Sequence, residues 1–254
     1  MLFGEVPYNG FKAPCGVGEL LELQVLRIVD VEESDRTGIM KEVGKLIKLR
    51  DLSIKSLRQD GKELCSSLEK LTNLQELVVA SSRDEMLDVN HPISASSLQS
   101  SRWLQFVGRL EEIPPWIRNL QGLERITLSL SNFFKDPVLE TLQHLPNLFE
   151  IRLLDEAYKG ESLCFQAGYF LKLKTLCLVR MERLRRMRVE KGAITGINRL
   201  GMDGLLMVEE LALGIENLSK LQVLELASTS SKLINKLENI AAESEEENDE
   251  SSKI

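Results

Sequence analysis

One short signature, apolar-x-x-apolar-x-apolar, recurs along the 254-residue chain at a nearly fixed interval. It stands at Leu23/Leu26/Ile28, Leu49/Leu52/Ile54, Leu74/Leu77/Val79, Leu123/Ile126/Leu128, Leu148/Ile151/Leu153, Leu173/Leu176/Leu178, Ile197/Leu200/Met202 and Leu221/Leu224/Leu226. A degenerate copy has Ser101 in place of the first apolar residue, followed by Leu104 and Phe106. Successive first positions lie 26, 25, 27, 22, 25, 25, 24 and 24 residues apart. With 45 leucines in the chain a single match means little, but nine in near-constant phase are not chance.

In each copy the second and third apolar residues are two apart, so a short strand points both to the same side. One copy cannot bury its own leucines; a stack of copies can, each coil covering the next. The interval falls within the roughly 20–29 residues of leucine-rich repeats. The expected fold is therefore an α/β leucine-rich-repeat solenoid, a horseshoe of about nine repeats. Its parallel β-sheet would form the concave face, and its convex side would be irregular or helical. Val138, Leu142 and Leu145, at helical spacing, suit such a return segment.

This reading divides the chain into an incomplete N-terminal repeat or entry segment (1–22), the array (23–230), a C-terminal capping helix (231–242) and a disordered acidic tail (243–254). The entry carries Pro7, Gly10, Pro14, Gly16 and Gly18 without a clear cap, so the array is expected to begin upstream or to pack there against another domain. Leu233, Leu237 and Ile240 supply one apolar face for the cap. Regular repeats place Asn or Cys three residues after the last strand leucine. Here those positions hold Val31, Leu57, Ser82, Arg109, Ser131, Glu156, Met181, Leu205 and Thr229, so turn geometry should vary. Ser81 to Ser101, rich in serine and containing Asn90-His91-Pro92, is the expected loop excursion.

Charge and composition narrow the function. The net charge is −7, of which the last twelve residues carry −5, leaving a body at −2 without the basic footprint of a nucleic-acid binder. No run reaches the 18 or more apolar residues of a membrane-spanning helix, and the N-terminus does not read as a secretory signal. Cys15, Cys65, Cys164 and Cys177 form no CxxC pair, so reduced structural thiols and a cytosolic chain are expected, with neither metal nor cofactor. His91 and His144 are the only histidines; both fall outside the strand positions, so no catalysis is expected.

Gly108-Arg109-Leu110-Glu111-Glu112-Ile113-Pro114-Pro115-Trp116-Ile117, followed by Leu120 and Leu123, resembles the GxLxxLPxWIxxLxxL segment of plant intracellular resistance receptors of the coiled-coil, nucleotide-binding, leucine-rich-repeat type. Val189-Glu190-Lys191-Gly192-Ala193 before Ile197-Asn198-Arg199-Leu200 is similar to their Ile-Glu-x-Gly-Ala-Met-Pro-x-Leu passage, with Thr195-Gly196 in place of Met-Pro. Gly214 to Leu226 resembles their final repeat, and Lys12-Ala13-Pro14 with Gly16 to Leu26 the entry to their later repeats. The resemblance spans about 2–242. It implies recognition of a pathogen effector or a guarded host protein and restraint of a nucleotide-binding switch, in cis or in trans. No G-x-x-x-x-G-K-[ST] phosphate loop occurs in these residues, so the switch itself is not among them. A solenoid that binds a host protein constitutively, outside immunity, is the alternative.

Strand residues pointing away from the leucines would form the recognition surface. The candidates are Arg27, Asp51, Lys55, Glu76, Trp103, Gln105, Arg125, Arg152, Arg199, Asp203 and Glu225. Their mixed signs suit a protein partner better than phosphate. Trp103 beside Arg125 is the sharpest candidate, because large rigid side chains and arginine dominate interface energetics; packing of Trp103 against its own degenerate repeat is the competing reading. Trp116, on a return segment, is expected to cover the convex core. Arg183, Arg185, Arg186 and Arg188 form a basic patch suited to an acidic domain surface or to anionic lipid, or else a solvated loop. The lipid option would place a cytoplasmic protein peripherally at the plasma membrane.

Overall fold

The computed structural model describes residues 10–14, 16–31, 36–57, 60–81, 85–133, 137–213, 220–232 and 234–235. Its strands in chain order are Val25–Asp30 (β1), Asp51–Lys55 (β2), Glu76–Ala80 (β3), Trp103–Val107 (β4), Arg125–Ser129 (β5), Glu150–Leu154 (β6), Ser162–Phe165 (β7), Thr175–Val179 (β8), Arg186–Val189 (β9), Arg199–Asp203 (β10), Glu210–Leu213 (β11) and Val223–Ala227 (β12). Nine of them form one sheet in the order β1-β2-β3-β4-β5-β6-β8-β10-β12, every pair parallel.

The middle apolar residue of every copy occupies one register row. Leu26, Leu52, Leu77, Leu104, Ile126, Ile151, Leu176, Leu200 and Leu224 are successive partners across the sheet. All are buried except Leu224, 40% exposed on the last strand. Beside them run Ile54, Val79, Phe106, Leu128, Leu153, Leu178, Met202 and Leu226. A fully buried aliphatic side chain contributes about 1.5–3 kcal/mol, and these two rows are the spine of one continuous core.

The first coil departs from the pattern. The register of β1 shifts between Leu26 and Val29, and Ile28 takes a left-handed conformation at φ 62°. Val29, which the pattern places on the concave face, is therefore buried against Ile54, while Ile28 is only half-buried. The extra residue is a β-bulge, which reverses the side-chain alternation beyond it.

The return segments hold three α-helices, Arg36–Val43 (α1), Gly61–Leu68 (α2) and Pro137–Leu142 (α3), and 3-10 turns at Val17–Glu19 and Pro115–Asn119. They also hold a second sheet, β7, β9 and β11, in the order β11-β9-β7 and parallel throughout. An irregular or helical convex side thus describes only the first two thirds of the array. The signal for the second sheet is present in the sequence: Leu163/Phe165, Met187/Val189 and Leu211/Leu213 each alternate, at intervals of 24. From Glu85 to Ser101 the chain forms no helix or strand beyond a single bridge from Met86 to Arg109, as expected of the excursion.

Two backbone ladders lock the coils together. At the strand entrances the N–H groups of Glu124 and Arg125 both donate to Arg102 O at 2.9 Å, those of Phe149 and Glu150 to Glu124 O, and those of Lys174 and Thr175 to Phe149 O. At the exits seven of the nine repeats turn through a residue of positive φ seven positions beyond the repeat start: Ser56, Gly108, Leu130, Asp155, Arg180, Gly204 and Ser228. In all but the last of these, Ser228, the N–H group of that residue or the next donates to the last carbonyl of the following strand, as from Gly108 to Ser129 O at 2.9 Å and from Arg180 to Asp203 O at 2.8 Å. The turn donors are therefore satisfied by the next coil's backbone, which is why no asparagine ladder is needed there. Asparagine acts on the opposite side of the strands, where Asn73 and Asn147 donate from Nδ2 to Ile47 O and Gln121 O.

Cys65 and Cys177 are buried thiols outside any disulfide. Burial pushes the Cys65 thiol up to about 12, so the unfolded chain ionises it near 9 while the folded chain keeps it protonated. The folded pKa is raised, so stability falls as pH climbs above 9. Thermal melts at pH 8 and pH 10.5 are expected to show a smaller alkaline loss for Cys65→Ala than for the wild-type chain; an identical loss would remove Cys65 as a contributor.

The entry 1–22 is described from Gly10, and Phe11 bridges to Val29 beside β1. Of the expected cap, Ser231, Lys232, Ile234 and Asn235 are helical, while Leu233, residues 236–242 and the acidic segment 243–254 lie outside the described residues.

Candidate protein-recognition face

The concave sheet presents three columns of side chains, and they differ in accessibility. The first contains Asp51, Glu76, Trp103, Arg125, Glu150, Thr175 and Arg199 in register. Of these Asp51 is only 6% exposed, and in the second column Gln105 is 5% exposed. Both share the face but offer a partner almost no surface. The third column is mostly covered: Ala80, Ser129, Leu154 and Val179 are buried. Ser129 lies beneath Asp155, which accepts from its hydroxyl at 3.3 Å and from Arg180 Nε at 2.6 Å. The second column is no more open, with Ser53, Thr127 and Cys177 only 6–7% exposed. The accessible strip is thus mainly the first column, joined by Arg27, Arg152 and Glu225 of the second, and is narrower than strand alternation implies.

Charges on the concave face are paired, mostly across coils and in one case within β6. Arg27 Nε donates to Asp51 Oδ2 at 2.6 Å, and its Nη2 reaches Glu76 at 3.2 Å. Burial pushes the Glu76 carboxyl up, and the neighbouring Asp51 carboxylate adds to the rise, against the pull of Arg27 and Arg125. Lys55 faces Asp30 at 3.5 Å, Arg152 donates to Glu150 at 2.5 Å, and Arg199 to Glu225 at 2.7 Å. Asp203 is half-buried on β10, opposite Ala227. Such exposed pairs add little stability, roughly 0–1 kcal/mol each, but fix the orientation of the groups a partner would meet.

The centre of the strip has a different composition. Trp103 and Arg125 are register partners on β4 and β5, and the Arg125 guanidinium carbon lies 5.7 Å from the Trp103 ring centre and 6.0 Å from that of Phe149. A cation flanked by two aromatics is held by their ring quadrupoles. Its Nε is buried without a hydrogen-bond partner among the described residues. Trp103 is half-exposed on this face. Phe149 escaped the sequence reading because it stands one residue before β6, outside the alternation; only stacking of the coils brings it to Arg125.

Other sequence candidates lie elsewhere. Trp116 is 4% exposed, edge-on to Phe106 at 6.2 Å, with its indole N–H donating to Val89 O at 3.0 Å, so it ties the excursion to the convex core. Arg183, Arg185, Arg186 and Arg188 are all exposed; the last two project from β9, the middle strand of the convex sheet, rather than from a loop. His91 pairs with Asp88 at 2.8 Å and His144 lies edge-on to Tyr169 at 5.6 Å, both away from the strip. Among the described residues no cluster of three or more His, Cys, Asp or Glu could hold a metal ion, and no helix is long and apolar enough to cross a membrane.

A parallel sheet with one leucine row per coil, closed by inter-coil backbone ladders and bearing a polar concave strip, defines a leucine-rich-repeat solenoid. The chain belongs to the leucine-rich repeat region family, whose family model matches residues 6–249. It is similar to disease resistance proteins of plants. Disease resistance protein RPM1 of Arabidopsis thaliana is 30% identical over 223 residues, 87% of this chain and 23% of that protein. Disease resistance protein RPP8 of the same plant is 25% identical over 219 residues, covering 85% and 23%. Disease resistance protein PIK6-NP of Oryza sativa subsp. japonica is 27% identical over 141 residues, covering 53% and 13%. The chain spans about a quarter of the length of the first of these relatives. An internalin from Listeria monocytogenes is 12% identical, with 82% of this chain and 88% of that chain covered at a TM-score of 0.34.

Proposed function

We propose that this chain is the protein-recognition region of a plant intracellular immune receptor. Its concave strip binds a pathogen effector or a guarded host protein, and binding releases a nucleotide-binding switch that the solenoid restrains. The observation that carries this reading is the Trp103–Arg125–Phe149 stack at the centre of an accessible, charge-mixed strip. Aromatic and arginine anchors of this kind supply most of an interface's energy. The exposed arginines on β9 suit an acidic surface of the nucleotide-binding domain, in cis or in trans. For release to follow recognition, the partner must bind the released state more tightly than the restrained one.

Trp103→Ala is expected to weaken such a partner by about 2 kcal/mol, roughly 30-fold, with an unchanged far-UV circular dichroism spectrum. The measurement is titration calorimetry with a partner selected on the wild-type chain, alongside co-purification of a receptor's nucleotide-binding domain with and without that partner. An unaltered affinity would remove Trp103 from the interface. Partner binding indifferent to the nucleotide-binding domain would favour a constitutive scaffold.

A further inference from the structure

Beside the concave strip, along the entrances to the strands, lies an open groove of about 560 Å³. Its wall is the row Arg102, Glu124, Phe149, Lys174, one residue from each of four successive coils, held by the entrance ladder of backbone hydrogen bonds. Such a row is fixed before any partner arrives, which lowers the entropy lost on binding.

The groove is apolar at its centre and basic at one end. Phe149 is half-buried there, and Leu171 is 57% exposed beside it, a large apolar side chain with no cover. Charges at the other end cancel, since Arg102 pairs with Glu124 at 3.4 Å. Lys172 donates to the neutral Asn147 Oδ1 at 2.7 Å, and Lys174 makes no ion pair among the described residues. Two positive charges therefore stand uncompensated against an exposed apolar floor. Phe149 joins this groove to the recognition strip, because its ring also flanks Arg125, whose Nε has no partner among the described residues.

We propose that this groove binds an extended acidic segment of the protein partner: one carboxylate meets Lys172 and Lys174, an apolar side chain lies on Phe149 and Leu171, and a second carboxylate meets Arg125. Charge complementarity selects the acid groups, and burial of Leu171 and Phe149 selects the apolar residue between them. Spacing fits this order. Adjacent strands lie about 4.8 Å apart, so the Lys174 and Arg125 coils are separated by roughly 10 Å. The first and third same-side residues of an extended peptide lie roughly 14 Å apart, a difference of about 4 Å that the long lysine and arginine side chains span. This inference rests on the reading of the chain as a protein-recognition region.

The test uses the full chain and fluorescein-labelled peptides read by anisotropy. The acidic probe is Asp-Ser-Phe-Ser-Asp, and the controls are Lys-Ser-Phe-Ser-Lys and Asp-Ser-Ser-Ser-Asp. The acidic probe is expected to bind with a dissociation constant below about 1 mM, at least tenfold tighter than either control. Lys172→Glu with Lys174→Glu, both at exposed positions, is expected to weaken it at least tenfold with an unchanged circular dichroism spectrum, and Leu171→Ser several-fold. Equal binding of the acidic and basic probes would overturn the proposal, as would absence of binding by the wild-type chain. Displacement of the peptide by equimolar inorganic phosphate would also overturn it, marking a plain anion site. If a selected protein partner is lost on Trp103→Ala but untouched by the lysine reversals, the groove fails and the recognition strip stands; the opposite outcome leaves the groove standing and removes Trp103.

Discussion

Phe106→Ala is expected to destabilise the chain by about 3–5 kcal/mol, because truncating a fully buried phenylalanine removes both its transfer energy and its packing partners. Phe106 fills the second inner row between Val79 and Leu128, in the copy whose first apolar residue is replaced by Ser101. Its ring also supports Trp116 edge-on, and Trp116 holds the excursion through Val89 O. Losing the ring therefore loosens three things: the weakest coil, the indole and the loop. In a repeat array each coil contacts only its neighbours, so the damage should be local. Hydrogen exchange is expected to show lost protection in β3, β4 and β5, with protection retained in β8 and β10; uniform loss across all strands would show that the array unfolds as one unit.

Gly108→Val is expected to cost about 2–6 kcal/mol. Gly108 stands at φ 135°, outside the ordinary left-handed well, where a side chain costs about 1–3 kcal/mol in strain. A Cβ there would fall on the Ser81 hydroxyl and within 3.1 Å of its Cβ, and crowding adds about 1–3 kcal/mol. Gly204 holds the equivalent position at φ 68°, where the nearest atom is the flexible Arg180 Cγ at 2.9 Å. Gly204→Ala should therefore cost only about 1–2 kcal/mol, the ordinary left-handed penalty. Urea denaturation of both variants measures the difference; equal losses would show that crowding against Ser81 contributes nothing.

The leucines were legible because their spacing reports the one interaction every coil repeats. A residue that must meet its counterpart on the next coil recurs at the coil's length, so Leu26 to Leu224 could be aligned on the page and aligns in space. The candidate site was legible only in outline. Alternation along a strand identifies the face of Trp103 and Arg125, but whether a residue on that face is open depends on the adjacent coils and their exit turns. Asp51 and Gln105 prove covered, and Ser129 lies under Asp155.

The sequence by itself thus determined the repeat, the parallel sheet, the register of its inner row and, beyond the bulged first strand, the side to which the residues of that sheet point, since all four follow from periodicity. The tertiary structure alone decided the bulge that buries Val29 and the meeting of Phe149 with Arg125 and Leu171. These depend on how much space one coil leaves for the next, a property of stacked backbones that no single repeat encodes.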